Sequence, residues 1–131
     1  MKKSVRILII VLSIIVIFCI VGFVMFQSMQ KGINDLLELE ITDIDLTDIE
    51  DGDYIGTYQQ LPVTVKVSVK IVNHDIISIE ILKHDNGQGQ TAELIINDIV
   101  EEDSILVDTV AGATISSKCI QLAVKNALNK K

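Results

Sequence analysis

VTVKVSVKIVNHDIISIEIL, Val63 to Leu82, is the stretch from which the fold is read. Val63, Val65, Val67, Val69 and Ile71 alternate with Thr64, Lys66, Ser68, Lys70 and Val72, a period of two that marks a strand with one buried face. Asn73, His74 and Asp75 supply a turn. Ile77, Ile79 and Ile81 then alternate with Ser78, Glu80 and Leu82, so the two runs read as a hairpin. Upstream, Tyr54 to Tyr58 reads as a further strand beside it. Downstream, DNGQGQ is a loop by composition, and Ala92, Ile95, Ile96, Ile99 and Val100 recur at helical spacing through Glu102. Ile105 to Val107 reads as a short strand. Ile120, Ala123, Val124, Ala127 and Leu128 share one face of a last helix that begins near Thr114, with Ser116 and Ser117 as helix-start residues. The order strand, strand, strand, helix, strand, helix predicts an α+β domain: a small antiparallel sheet with two helices on one face.

Ahead of this domain, Ile7 to Phe26 is a run of 20 residues without a charge. At 1.5 Å per residue it is long enough to cross a hydrocarbon core of ~30 Å, and it reads as one N-terminal transmembrane helix. Lys2, Lys3 and Arg6 precede it and only Lys31 follows closely. The positive-inside bias therefore places residues 1–6 in the cytoplasm and the rest outside, as a single-pass protein of the cell membrane. A cleaved signal peptide is the rival reading, but the apolar run exceeds a usual signal core and no Ala-x-Ala-like site follows Phe26. Cys19 lacks the small residues that a lipidation site needs upstream. The expected organisation is a cytoplasmic N-terminus (1–6), a transmembrane helix (7–26), an acidic linker (27–49) and a folded domain (50–131).

The formal charge is −7, and because residues 1 to 6 contribute +3, the part after the span carries −10. Such a domain does not bind nucleic acid by charge. Nine of the 18 acidic residues fall between Asp35 and Asp53 with no base among them, which reads as a solvated linker or as a dock for a basic partner. Leu36, Leu37, Leu39, Ile41, Ile44, Leu46 and Ile49 interrupt that acidity, so part of the stretch is expected to pack as a short helix or strand against the domain. Cys19 and Cys119 lie in the span and in the last helix and cannot pair within one molecule. Cys119 reads as a small core residue, with a redox thiol as the alternative. His74 and His84 are ten residues apart with no cysteine near either, so no structural metal is expected. A nucleophile elbow and a phosphate-binding loop are both missing from the sequence, which argues against a hydrolase or a nucleotidase.

The segment DTVAGATISSK, Asp108 to Lys118, holds the candidate site. It sets the hydroxyl of Thr114 among small residues, Gly112 and Ala113, at the start of a helix. The first N–H groups and the dipole of that helix favour a phosphate there. This segment resembles the flavinylation motif of the FMN-binding domain family, found in the C and G subunits of sodium-pumping and ferredoxin-oxidising membrane redox complexes and in small membrane-anchored proteins. The family pattern is Asp, two residues, Ser or Thr, Gly, Ala, Ser or Thr. Asp108, Gly112, Ala113 and Thr114 match it, while Ala111 stands where the pattern has a hydroxyl. DGDYIGTY, Asp51 to Tyr58, looks like the family's opening strand, and ILKHDNGQGQTAE, Ile81 to Glu93, looks like its middle loop.

The resemblance implies FMN joined as a phosphoester to Thr114 by a flavin transferase that uses FAD, with Asp108 positioning the segment or the transferase. Ser116, Ser117, His84 and Gly87 are the further candidates for lying around such a cofactor: Gly87 and Gly89 bring the loop backbone close to the ring and His84 or Lys83 hydrogen-bonds it or offsets charge near its N1, or else Lys83, His84, Gly87 and Gly89 are simply an exposed turn. Tyr54 and Tyr58 are either ring contacts or ordinary sheet packing. The expected role is that of a membrane-anchored, extracytoplasmic electron carrier with membrane or extracytoplasmic redox partners, more a carrier than a stand-alone enzyme. Two alternatives stay open: a module that binds or senses FMN without a covalent bond, and a flavin-free interaction domain.

Overall fold

The computed structural model describes residues 2–85 and 90–129, and the chain divides into two compact units, Met1–Gly32 and Ile33–Lys131. Helix α1, Lys3–Glu38, contains the whole charge-free run, with its apolar side chains exposed. It is long and apolar enough to cross a membrane.

In the unit Ile33–Lys131, strands β1 (Gly52–Gln60), β2 (Val63–Val72) and β3 (Asp75–Asp85) form an antiparallel sheet in the order β1-β2-β3. A 3-10 turn, Gln90–Leu94, then leads into α2 (Ile95–Glu102), and α3 (Thr114–Leu128) closes the fold. Helix α3 packs on β1 and β2, and α2 packs on β3. The domain is α+β. The strict alternation of β2 is matched by its burial: Val63, Val65, Val67, Val69 and Ile71 are all in the core. Asn73 and His74, both at positive φ (53° and 68°), form the two-residue turn whose twist suits a hairpin.

Strand β3 departs from the alternation expected of Ile77, Ile79 and Ile81. Ile76 and Ile79 are buried, whereas Ile77 is 50% exposed. The cause is a bulge: Ile71 faces Ile76 while Lys70 faces Ser78, so Ile77 is an extra residue. A second slip between Lys66 and Val67 leaves Leu82 unmatched and brings His84 opposite the buried Val65.

The expected strand Ile105–Val107 does not form. Ile105 and Val107 are buried and Leu106 is exposed, as alternation requires, but their backbone groups bond to side chains rather than to a ladder. Gln121 Nε2 donates to the carbonyls of Ile105 and Val107 at 2.9 Å each, Ile105 N–H donates to Asp43 Oδ1, and Leu106 N–H donates to Ser104 Oγ.

Residues 39–50 contain no helix or strand, yet Ile41, Ile44, Leu46 and Ile49 pack against the core and Leu36 is buried. Lys118 Nζ donates to the carbonyls of Leu36, Leu37 and Leu39, and Lys125 Nζ to that of Thr42. Burial alone would raise the Asp43 carboxyl. The hydrogen bonds from Ser104 Oγ and from the Ile44 and Ile105 N–H groups, with the Lys125 ammonium, hold it below its ordinary value instead.

Gly56 sets how closely α3 lies on the sheet. A Cβ added there would stand 2.0 Å from the Ala123 carbonyl oxygen and 2.4 Å from the Ala127 nitrogen. Only a residue without a side chain permits that approach.

Candidate functional site

The direction of α3 fixes which end of the sheet carries the motif. Leu128 and Asn129 border Tyr54, Asn126 Nδ2 donates to the Thr57 carbonyl, Ala123 and Ala127 lie on Gly56, and Cys119 neighbours Tyr58. The helix therefore runs antiparallel to β1, and Thr114 lies at the end where β1 finishes at Gln60. Asp85 pairs with Thr64 at that same end, so His84 belongs to it too. Tyr58 pairs with Val65, which pairs with His84, forming one row across the sheet. Tyr54 is at the other end, next to Leu128, about 20 Å along the helix from Thr114. Its hydroxyl donates to the Glu50 carbonyl.

The motif is built on a tight turn. Ala113 N–H donates to the Val110 carbonyl at 3.0 Å, and Gly112, third of the four residues, has φ +77°. That left-handed position is the one a type II turn reserves for glycine. A Cβ at Gly112 would meet nothing within 4 Å, so the space beside it is open and its requirement is conformational. Ala113 occupies the N-cap position of α3 and supplies no side-chain cap. Its methyl group is buried in the core rather than lining an approach.

Thr114, the first helical residue, is half-buried. Ser116 and Ser117 follow in the first turn, both buried, so they do not cap the helix. Ser117 Oγ instead accepts the Val110 N–H at 3.0 Å. Asp108 is exposed and borders a shallow groove shared with Leu39, Ile41, Thr109 and Lys118.

The His84 imidazole is only 2% exposed, with Nδ1 2.9 Å from Glu93 Oε1. This contact joins β3 to the 3-10 turn, which packs against α3. Lys83 pairs with Asp85 at 3.1 Å, both well exposed, an ion pair that adds little stability. Gly87 and Gly89 lie outside the described residues. Burial raises the Tyr58 phenol, and the nearby Cys119 thiol adds to the effect. Burial also pushes the Cys119 thiol up to about 11, leaving it protonated and unreactive at neutral pH.

Three residues that shape the site carried no local sign of it: Lys118 bonds a segment far off in sequence, Asp43 reaches Ser104 and Ile105, and Gly56 meets α3. The polar pair Ser117 and Gln121, spaced i, i+4 on a helix face otherwise apolar, was the one signal that could have been noticed.

The residues present suit a phosphorylated ligand. A half-buried threonine opens an uncapped helix, open space adjoins Gly112, and the positive end of the helix dipole is at hand. A comparison with curated proteins gives no match. The model of the FMN-binding domain family matches residues 60–129, more than half of the chain and including the turn, Thr114 and α3. The chain belongs to the FMN-binding domain family.

Proposed function

We propose that this protein is a membrane-anchored flavoprotein whose FMN is attached as a phosphoester to Thr114 and which passes electrons outside the cytoplasm. The observation that carries the reading is the position of Thr114: within the matched family region, it is the hydroxyl that opens α3 behind a glycine turn. Each residue then has a task. Thr114 supplies the attachment oxygen, the first turn of α3 stabilises the phosphate charge, and Gly112 gives the turn its shape. Asp108, exposed beside the turn, is available to the modifying transferase. His84 stands at the same end of the sheet, held by Glu93, as the imidazole nearest in the fold to a ring attached at Thr114. FMN itself supplies one- or two-electron redox chemistry.

The anchor supports the location. Lys2, Lys3 and Arg6 flank the apolar run on its N-terminal side against Lys31 after it, which favours an N-terminus in the cytoplasm and a domain outside. Tethering to a membrane raises the effective concentration of the carrier near a membrane-bound donor, so weak contacts suffice for exchange. The test is production of the full chain together with an FAD-dependent flavin transferase, followed by flavin fluorescence on a denaturing gel. The wild type is expected to fluoresce and Thr114→Ala to be dark. Equal fluorescence in the two would refute the assignment of Thr114, and flavin released from the wild type by denaturation would favour the non-covalent alternative.

A further inference from the structure

We infer that Ser117 and Gln121 are positioning residues for the modification of Thr114, an inference that rests on the covalent reading above. A helix packed on a sheet buries apolar side chains, and α3 does so with Ile120, Ala123, Val124 and Ala127. Ser117, 0% exposed, and Gln121, 4% exposed, interrupt that face one turn apart. Burying a hydroxyl or an amide is costly unless it is hydrogen-bonded. Both are bonded, and to the segment that leads into their own helix: Ser117 Oγ to the Val110 N–H, Gln121 Nε2 to the carbonyls of Ile105 and Val107.

Ser117 grips both ends of the turn. Its side chain takes the Val110 N–H at 3.0 Å, and its own N–H donates to the Ala113 carbonyl at 2.9 Å. Thr114 is the next residue, so its oxygen stands where this double hold puts it. Residues 106–110 form no helix or strand, and the Gln121 bonds fix the stem from which the turn rises. Ala111, where the family motif has a hydroxyl, is exposed; Ser117 holds the turn from beneath without any side-chain group at that position.

In the transfer, Thr114 Oγ forms a bond to the phosphorus of the FMN half of FAD. The pyrophosphate P–O bond breaks, AMP leaves with the electron pair, and the hydroxyl proton passes to a base of the transferase. Misplacing a nucleophile by about 1 Å lowers such a rate by roughly 100-fold. Loss of the Ser117 or Gln121 bonds should therefore lower the turnover of this chain as a substrate by at least about tenfold.

The experiment measures kcat and KM of an FAD-dependent flavin transferase acting on the full-length chain in detergent. Wild type, Ser117→Ala, Gln121→Met and Val124→Ala are compared at a temperature where all are folded. Val124→Ala loosens the core without touching the turn and controls for stability alone. The expected result is a kcat lowered in Ser117→Ala and Gln121→Met with little change in KM, and a wild-type kcat in Val124→Ala. Should Ser117→Ala fail to fold, Gln121→Met still decides. Wild-type kcat in Gln121→Met, or an equal loss in Val124→Ala, would overturn the positioning role while leaving Thr114 as the acceptor. A wild-type chain that takes no flavin from FAD would overturn the covalent reading, and this inference with it.

Discussion

Gly56→Ala tests the packing that places α3 on the sheet. The new Cβ would lie 2.0 Å from the Ala123 carbonyl oxygen, 2.4 Å from the Ala127 nitrogen and 2.7 Å from the Ala127 Cβ. Two of these three atoms belong to the helix backbone and cannot turn aside. Since ordinary contact begins near 3.4 Å, the helix and β1 must part by roughly 1.4 Å, which strips contact from the buried Ala123 and Ala127 on either side. Overpacking by one methyl usually costs 1–3 kcal/mol, and a clash with backbone belongs at the upper end, about 3 kcal/mol. For a domain of this size, that lowers the melting midpoint by roughly 10–20 °C. The chain has no tryptophan, and its two tyrosines, Tyr54 and Tyr58, are both on β1. Tyrosine fluorescence of the flavin-free protein therefore reports on this interface directly. Adding Ala127→Gly removes only the mildest of the three contacts and should recover little. A midpoint within about 2 °C of wild type for Gly56→Ala would refute the reasoning.

Two further outcomes follow from titrating groups. Asp43 has a lowered folded value, so the stability it contributes is complete above its unfolded value near pH 4 and is lost as pH falls through the lowered one. Asp43→Asn should melt below wild type at neutral pH, and the gap should close in acid; a gap of constant size from pH 7 to strong acid would contradict this. Cys119, pushed up to about 11 by burial, should resist iodoacetamide at pH 8 in a Cys19→Ser background and react on denaturation. Equal labelling of native and denatured protein would show that the thiol is not buried.

How much of this was legible in the sequence depends on how local each cause is. Strand β2 and the apolar face of α3 were readable because strict periods of two and 3.6 residues need no knowledge of distant partners. The phase of β3 was not, since nothing in IISIEIL marks Ile77 and Leu82 as the residues squeezed out of register. Ile105–Val107 has the alternation of a strand but spends its backbone bonds on Gln121, Asp43 and Ser104, partners 14 to 62 residues away in two of the three cases. At the candidate site, Thr114, Gly112 and Asp108 were recognisable from the motif. Ser117 was read as a helix-start residue and instead holds the preceding turn. Tyr54 and Tyr58 looked equivalent in sequence, and only the antiparallel course of α3 separates them.

The central claim is tested most directly by the intact mass of the protein isolated from its native membrane, with fragmentation to locate any adduct. The account predicts the added mass of one FMN phosphoester on the peptide that contains Thr114. An unmodified Thr114 peptide from protein that nevertheless purifies with flavin would contradict it.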